Sequence, residues 1–401
     1  MPALPLDDIR ILDLTHYYNG PYGTLLLSYL GAEVIKVEEP RHGDEMRALF
    51  RASHDKEISL GFATLNANKR SITLNLKSAE GREIFKRLAT TIDVVIENFA
   101  FGAMEGFGLG YDVLRKLNPR LIYGTGKGYG LTGPYRDLPA FDPVVQAMSG
   151  VLTTTGEAGG PPMKAGPAVV DMLGGVHLAA AVLAAIRSRD RTGVGSMVEV
   201  ALQDAVIPTL TSHICAYYGL GYRGSLRDGN RAAGAAVVPY NTYPASDGYV
   251  LILAADEARW HRLCALMGRP ELGDDPRFAS LKERARRIDE VDRLIADWTR
   301  NYTRDELMDL FKRADVFCGI VKELTEVMTD PHLHERGMLR EIDDPRLGPI
   351  TIWTSPIRLN GEPNNPRSLS PKLGADTESF YRKELGMDAA EVASLRDRGV
   401  I

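Results

Sequence analysis

The sequence predicts an α/β protein: a large domain built on an open, Rossmann-like parallel sheet, plus a smaller α+β domain. Three observations carry that expectation. Short apolar runs alternate with helical stretches through the first half of the chain. Glycine-bearing turns follow several of those runs. Beyond residue 220 the periodicity lapses, then resumes as two strands followed by helices. Alternation of this kind argues for parallel strands, right-handed crossovers and ligands at the carboxyl ends of the strands.

In order, IRILDLT (9–15) reads as a strand, HYYNGPYG (16–23) as a turn and TLLLSYLG (24–31) as a helix closing on Gly31. AEVIKVEE (32–39) is the next strand, completing a βαβ unit. RSITLNL (70–76) is a strand, SAEGREIFKRLATT (78–91) a helix opened by Ser78, and DVVIENF (93–99) a strand. GYDVLRKLNP (110–119) is a short helix ended by Pro119, and LIYGTGKGYG (121–130) is a strand entering a glycine-rich loop. SMVEVALQDAVI (196–207) returns to strand, then to helix as far as about Gly219. Next come VVPYNTYPA and DGYVLILAA, strands joined at Ser-Asp-Gly, with helices near 256–268, 279–302 and 304–314. Short strands follow at 338–353 and a terminal helix near 389–398. The division is therefore 1–220 for the large domain, completed by 330–401, and 225–325 for the small one. Stretches 221–236 and 318–339 act as linkers.

A chain of 401 residues has room for two or three domains, and 44% apolar with 25% charged residues is ordinary globular composition. The net charge of −5 gives no reason to expect nucleic acid or an anionic membrane as partner. No apolar signal region follows the N-terminus. Three widely spaced cysteines fit a reducing, cytoplasmic setting and neither a disulfide framework nor a zinc site. No HExxH is present, His332 and His334 read as solvated loop residues, and no metal site is expected.

The most informative stretch is AGPAVVDMLGGVHLAAAVLAAIRSR (165–189), a helix with Asp171 at its start and Arg187 and Arg189 at its end. It reads as a buried core helix, too short and too interrupted to span a membrane. Asp171 has two readings. One is an N-cap, the common use of Asp at a helix start. The other is an ionised carboxylate nucleophile, with Gly174 and Gly175 opening space for a large ligand.

A dinucleotide site fails on detail. The first turn, NGPYG, has no G-x-G-x-x-G, and Gly128–Gly133 is followed by Pro134 and Pro139 where a helix should open. Neither a Walker A lysine pattern nor a G-x-S-x-G elbow is present. Four strand-end stretches pair loops with basic or amide side chains: Tyr18-Asn19-Gly20, Asn68-Lys69-Arg70, Glu97-Asn98-Phe99 and Lys127-Gly128-Tyr129. Together they suit a polyphosphate or a thioester-bearing nucleotide. Lys69-Arg70 as a solvated pair and Asn98 as an Asx-turn residue remain open.

On the stretches from PLDDIRILDLTHYYNGPYG through NKRSITLNLK, DVVIENF, GLGYDVLRKLNPRLIYGTGKGYGLTGPY, FDPVVQAMSG, the Asp171 helix with RTGVGSMVEVALQDA, and DPHLHERGML, the chain resembles class III coenzyme A transferases. These include formyl-CoA:oxalate and carnitine CoA-transferases. The resemblance implies Asp171 as nucleophile. It implies coenzyme A contacts at Tyr18, Asn19, Leu74, Lys77, Asn98, Phe99, Lys127 and Gly128, with Tyr129 beside the acyl group. It implies acyl-CoA and a carboxylic acid as substrates, no permanently bound cofactor, and a homodimer of interlocked, ring-shaped subunits. Racemases of this fold carry His where this chain has Phe141, which takes no proton. Oxalate-using members carry a glycine run where RAAGAAVVPYN (231–241) has only Gly234. The other readings are an isomerase of the same fold and a non-catalytic coenzyme A-binding protein.

Overall fold

Six strands form the parallel sheet of the larger unit: β1 (Arg10–Asp13), β2 (Glu33–Glu38), β3 (Arg70–Thr73), β4 (Val94–Glu97), β5 (Ile122–Lys127) and β6 (Met197–Ala201). Their order is β3-β2-β1-β4-β5-β6, with Ile11 aligned on both Val34 and Val94. The chain winds outward one way from β1 and returns to the other side at β4. Such a reversal opens a crevice at the carboxyl ends of those two strands. The structure is a computed structural model that describes residues 4–49, 59–219, 221, 227–363, 366 and 368–401.

The strands are short apolar runs because helices cover both faces. Side chains alternate, so Leu12, Ile35 and Val95 enter one core with Phe85 and Phe380, while Ile11, Val34 and Ile96 enter another with Leu178 and Val182. The C-terminal Thr377–Leu385 helix closes the first core, and Tyr381 donates to the Thr73 carbonyl at 2.9 Å.

The helix after β1 spans Asn19–Tyr29, so it starts five residues before the expected Thr24. The run NGPYG reads as a turn, yet proline is tolerated in a first helical turn. Its glycines admit close neighbours. The Gly23 face of this helix meets Gly175 of the Val169–Thr192 helix, where a Cβ added to Gly175 would lie 2.5 Å from the Asn19 carbonyl oxygen. Gly174 and Gly175 therefore make room for this helix and for Leu202, and not for a ligand. Gly175→Ala is expected to cost about 1–3 kcal/mol by overpacking, read as a lower urea midpoint with unchanged m.

The Val169–Thr192 helix is 24 residues long, and by length and composition it is long and apolar enough to cross a bilayer, contrary to expectation. It is also not buried all round. Val170, Leu178, Val182 and Ile186 are covered, while Val176 is 44% exposed. The covered face packs on β5, β6 and the Asn19–Tyr29 helix, and Arg189 near its end pairs with Asp93 at 2.8 Å.

The described chain forms two compact units: Met1–Val145, Pro167–Val206 and Met328–Ile401 in one; Gln146–Gly166 and Ile207–Val327 in the other. Residues 146–166 and 207–219, expected in the large domain, group with the second unit, where the Thr211–Gly219 helix packs on the Ala233–Ala235 turn. Within the expected 221–236 linker, residues 222–226 lie outside the described residues.

The second unit holds an antiparallel sheet of β7 (Tyr240–Ala245), β8 (Gly248–Leu253) and β9 (Phe317–Ile320), packed around Trp260, Phe278 and Phe311. β9 falls largely within the stretch read as a return linker. The helix expected over 279–302 is two, Leu281–Arg286 and Ile288–Thr299, divided at Arg287, whose φ of −120° is not helical. The first unit adds a hairpin of β10 (Leu339–Asp344) and β11 (Gly348–Trp353), and the terminal helix Ala389–Asp397.

Candidate active site

The carboxyl ends of β1, β4 and β5 and the first turn of the Val169–Thr192 helix surround a cavity of about 300 Å³. Tyr18, Asn19, Asn98, Phe99, Lys127, Gly128 and Asp171 all line it. Phe141, 53% exposed, stands on the same wall with its ring edge-on to Tyr17 at 5.3 Å. Tyr17 is held at φ 64°, a left-handed conformation that costs a non-glycine residue on the order of 1 kcal/mol.

Asp171 is not the N-cap of its helix. The cap position is Ala168, which supplies no side-chain bond. Asp142 takes the capping role from another element: one carboxylate oxygen accepts the N–H groups of Val170 at 2.8 Å and Asp171 at 3.1 Å. The Asp171 carboxylate is thereby spared that duty. Burial, and then the neighbouring Asp142 charge, push its pKa up to about 7. The helix start does not hold the Asp171 pKa down as expected, because the carboxyl is largely buried and the partner that caps the helix is itself an anion. Burial and then the Asp171 charge also raise the Tyr18 phenol. A carboxylate poised near 7 is a stronger nucleophile than an ordinary one, and loses it when protonated. Asp171-dependent turnover is therefore expected to rise with pH through about 7 and then level. Asp142→Asn keeps an acceptor for the helix but removes the repelling charge, so the acid limb of kcat/KM should move to lower pH. An unmoved limb would leave burial as the sole cause.

The basic and amide groups are spent inside the protein. Lys127 is buried and its ammonium lies 2.9 and 2.8 Å from the two oxygens of Glu97, donating also to the Phe99 carbonyl at 2.6 Å. Asn98 straps His16: its Oδ1 accepts the His16 N–H and its Nδ2 donates to the His16 carbonyl, both at 2.8 Å. That is a tertiary clamp in place of an Asx turn. Lys69 is not a solvated residue. It is 4% exposed and donates to Asp13 at 2.9 Å, Asn66 at 2.8 Å and the Pro21 carbonyl at 3.1 Å. Burial, against the pull of Asp13, brings its pKa down to about 8. Arg70 pairs with Glu33 and Asp376. Lys69 and Lys127 thus neutralise buried acids and Arg70 pairs with half-buried ones, so the strand-end cations do not form an open phosphate cradle.

Leu74, Lys77 and Tyr129 do not line the cavity. Leu74 is 2% exposed in the core with Phe85; Lys77 is exposed, beyond the end of β3; Tyr129 packs edge-on against Tyr135 at 5.8 Å. Sequence reasoning missed Asp142, His16 and Glu45, and named Glu97 only within its strand-end stretch, without its pairing to Lys127. Asp142 stood next to Phe141, but a cap supplied from 28 residues away leaves no local spacing to read.

The model of CoA-transferase family III matches residues 6–377 of this chain. The chain is 37% identical over 401 residues to a succinyl-CoA–D-citramalate CoA-transferase from Chloroflexus aurantiacus, covering 100% of this chain and 99% of that one. It is 36% identical over 415 residues to a formyl-CoA:oxalate CoA-transferase from Streptomyces coelicolor, covering 100% of both. Among solved structures, a CAIB/BAIF family protein from Brucella suis superposes with a TM-score of 0.83 at 33% identity, over 95% of this chain and 100% of that one.

Proposed function

Because the chain belongs to CoA-transferase family III, we propose that it moves coenzyme A from an acyl-CoA to a free carboxylic acid through covalent intermediates on Asp171. The carrying observation is that Asp142, and not Asp171, caps the helix, leaving the Asp171 carboxylate on the cavity wall with its pKa raised to about 7.

An Asp171 oxygen attacks the thioester carbonyl carbon. The C–S bond breaks, coenzyme A leaves as thiolate, and a mixed anhydride forms. The thiolate attacks the Asp171 carbonyl carbon of that anhydride, releasing the donor acid as carboxylate and leaving an aspartyl-CoA thioester. The acceptor carboxylate then attacks the aspartyl carbonyl, expelling thiolate. A final attack by thiolate on the acceptor's acyl carbon gives the new acyl-CoA and frees Asp171. Each step exchanges one activated acyl bond for another, which is the gain of covalent catalysis. Water must be kept from the anhydride throughout.

Succinyl-CoA as donor and a short branched dicarboxylic acid as acceptor make up the proposed substrate class. The relative named for succinyl-CoA and D-citramalate supports it. So does the small-domain stretch 231–241, where Gly234 is alone in a short turn and the glycine run of oxalate-using members is missing. Phe141 offers no proton, which weighs against an isomerase. The homodimer is part of the same reading. Its support is the family resemblance and the exposed Ile214 and Tyr218 of the Thr211–Gly219 helix, an apolar surface of the kind partners cover. A light-scattering mass equal to one 44.0 kDa chain would count against it. The test of function is succinyl-CoA incubated with citramalate, mesaconate, malate, glutarate and oxalate, with new thioesters read by mass. Transfer to the branched acids citramalate or mesaconate, in preference to glutarate and without transfer to oxalate, is expected. Transfer to none, with α-proton exchange in deuterated water instead, would replace the reading with an isomerase.

A further inference from the structure

We propose that His16 is the acid–base group that handles the coenzyme A sulfur during transfer, an inference that rests on the transferase reading above. Its placement is over-determined. The Asn98 amide grips both the N–H and the carbonyl of His16, so a side chain lining the cavity serves to fix this one residue. The imidazole leans on Phe99, ring centroids 5.5 Å apart. Its Nδ1 lies 2.7 Å from a Glu45 carboxylate oxygen and 4.0 Å from Asp44.

Glu45 is itself held. It opens a single 3₁₀ turn whose cap is Asp44, fully buried, accepting from the N–H of Met46 at 3.0 Å and of Tyr17 at 3.3 Å. Lys36 sits 3.0 Å behind Asp44. Hydrogen bonding to His16 holds the Glu45 carboxyl below its usual range. The dyad is therefore a carboxylate on a fixed turn, orienting an imidazole by one nitrogen. That arrangement assigns the Nδ1 proton to the carboxylate side and leaves Nε2 for chemistry. Among the described residues no protein group takes Nε2, and His16 and Glu45 both line the cavity that Asp171 lines. The charged and titratable neighbours of the ring are Glu45 and Asp44 from the turn after β2, Lys36 behind Asp44 and Tyr17 beside the ring, with Asp171, Tyr18 and Lys127 on the same cavity.

The step balances. In the protonated ring, Nδ1–H rests on Glu45 and Nε2–H faces the sulfur. As Asp171 forms its bond to the acyl carbon, the C–S bond breaks and its electron pair goes to sulfur, which takes the Nε2 proton. When that sulfur attacks the Asp171 carbonyl carbon, Nε2 takes the proton back. The cycle consumes no proton and needs no other reactant. Holding the sulfur as a thiol between attacks keeps it in the cavity with the anhydride without an unpaired anion.

The test uses full-length protein with succinyl-CoA and isotopically labelled succinate, so that one acid is both donor and acceptor. His16→Ala should lower kcat for label entry into succinyl-CoA by about 100-fold, the usual reach of general acid–base catalysis. KM for succinyl-CoA should move by less than roughly threefold. Millimolar imidazole should restore at least about tenfold in this variant and nothing in the unaltered protein, a response a merely structural role would not give. Glu45→Gln should lose about tenfold. His16→Gln, which keeps the bulk of the side chain, serves where the alanine variant folds poorly, and should show the same kcat loss. Both His16 variants should still accumulate the Asp171 acyl adduct on long incubation. Unchanged kcat, or a loss confined to KM that imidazole does not lift, overturns the role of His16 alone. No Asp171 adduct in the unaltered protein overturns the transferase reading, and this role with it.

Discussion

Replacing Asp171 by Asn is expected to abolish transfer, by about 10⁴-fold or more in kcat, while making the protein more stable at pH 8. The amide matches the carboxyl group in shape and has no nucleophilic oxygen of comparable strength, so the loss belongs to chemistry. Coenzyme A binding should persist, since no other wall of the cavity changes. The stability gain follows from the raised pKa. In the unfolded chain Asp171 titrates near its ordinary 3.8; in the fold it titrates near 7. Below pH 4 both states hold the proton and the group contributes nothing. Between those values the folded state keeps a proton the unfolded chain has lost, so stability falls as pH rises, and above 7 the full penalty is present. With partial solvent access allowed for, the penalty is on the order of 3 kcal/mol. Asp171→Asn removes it. Urea unfolding at pH 5 and pH 8 checks the sign: the variant's advantage should be larger at pH 8. An advantage that shrinks with pH would mean that Asp171 is a stabilised anion after all.

The second large effect is at Lys127. Lys127→Met should destabilise the fold by about 3–5 kcal/mol, because it strands the Glu97 carboxylate, 2% exposed, without its cation. Thr125 and the Phe99 N–H still donate to Glu97, at 2.5 and 2.8 Å, but neither neutralises it. The double variant Lys127→Met with Glu97→Gln should recover much of the loss, since charge and counter-charge leave together. Coenzyme A affinity should change little and keep its salt dependence. The phosphate-contact role implied by the family resemblance predicts the opposite: near-normal stability, weaker coenzyme A binding and a shallower salt slope.

These two positions also show what the sequence could and could not convey. The parallel sheet was legible because each strand is a short apolar run between turn residues, and Asp171 stood out as the one acid opening a long apolar helix. What the strand-end side chains do was not. Glu97 and Lys127 lie 30 residues apart and meet only because β4 and β5 are neighbours in the sheet, Glu97 aligned on Thr125. Asp142 reaches the Asp171 helix in the same non-local way. The glycines misled for a related reason: Gly174 and Gly175 do mark a close approach, but of the Asn19–Tyr29 helix, and sequence does not say which neighbour arrives. The start of that helix was hidden because Asn-Gly-Pro has the composition of a turn. β9 was hidden because four residues at a sheet edge carry little periodicity.

Catalysis by an activated ester on Asp171 is the central claim, and a mass measurement reaches it directly. The protein is incubated with succinyl-CoA, quenched with hydroxylamine and digested, and the peptide containing Asp171 is weighed. A hydroxamate on Asp171, absent when succinyl-CoA is omitted and absent in Asp171→Asn, is the predicted result. An unmodified Asp171 peptide from protein that is converting succinyl-CoA to a new thioester in the same tube would contradict the account, because transfer would then proceed without the bond on which every step depends.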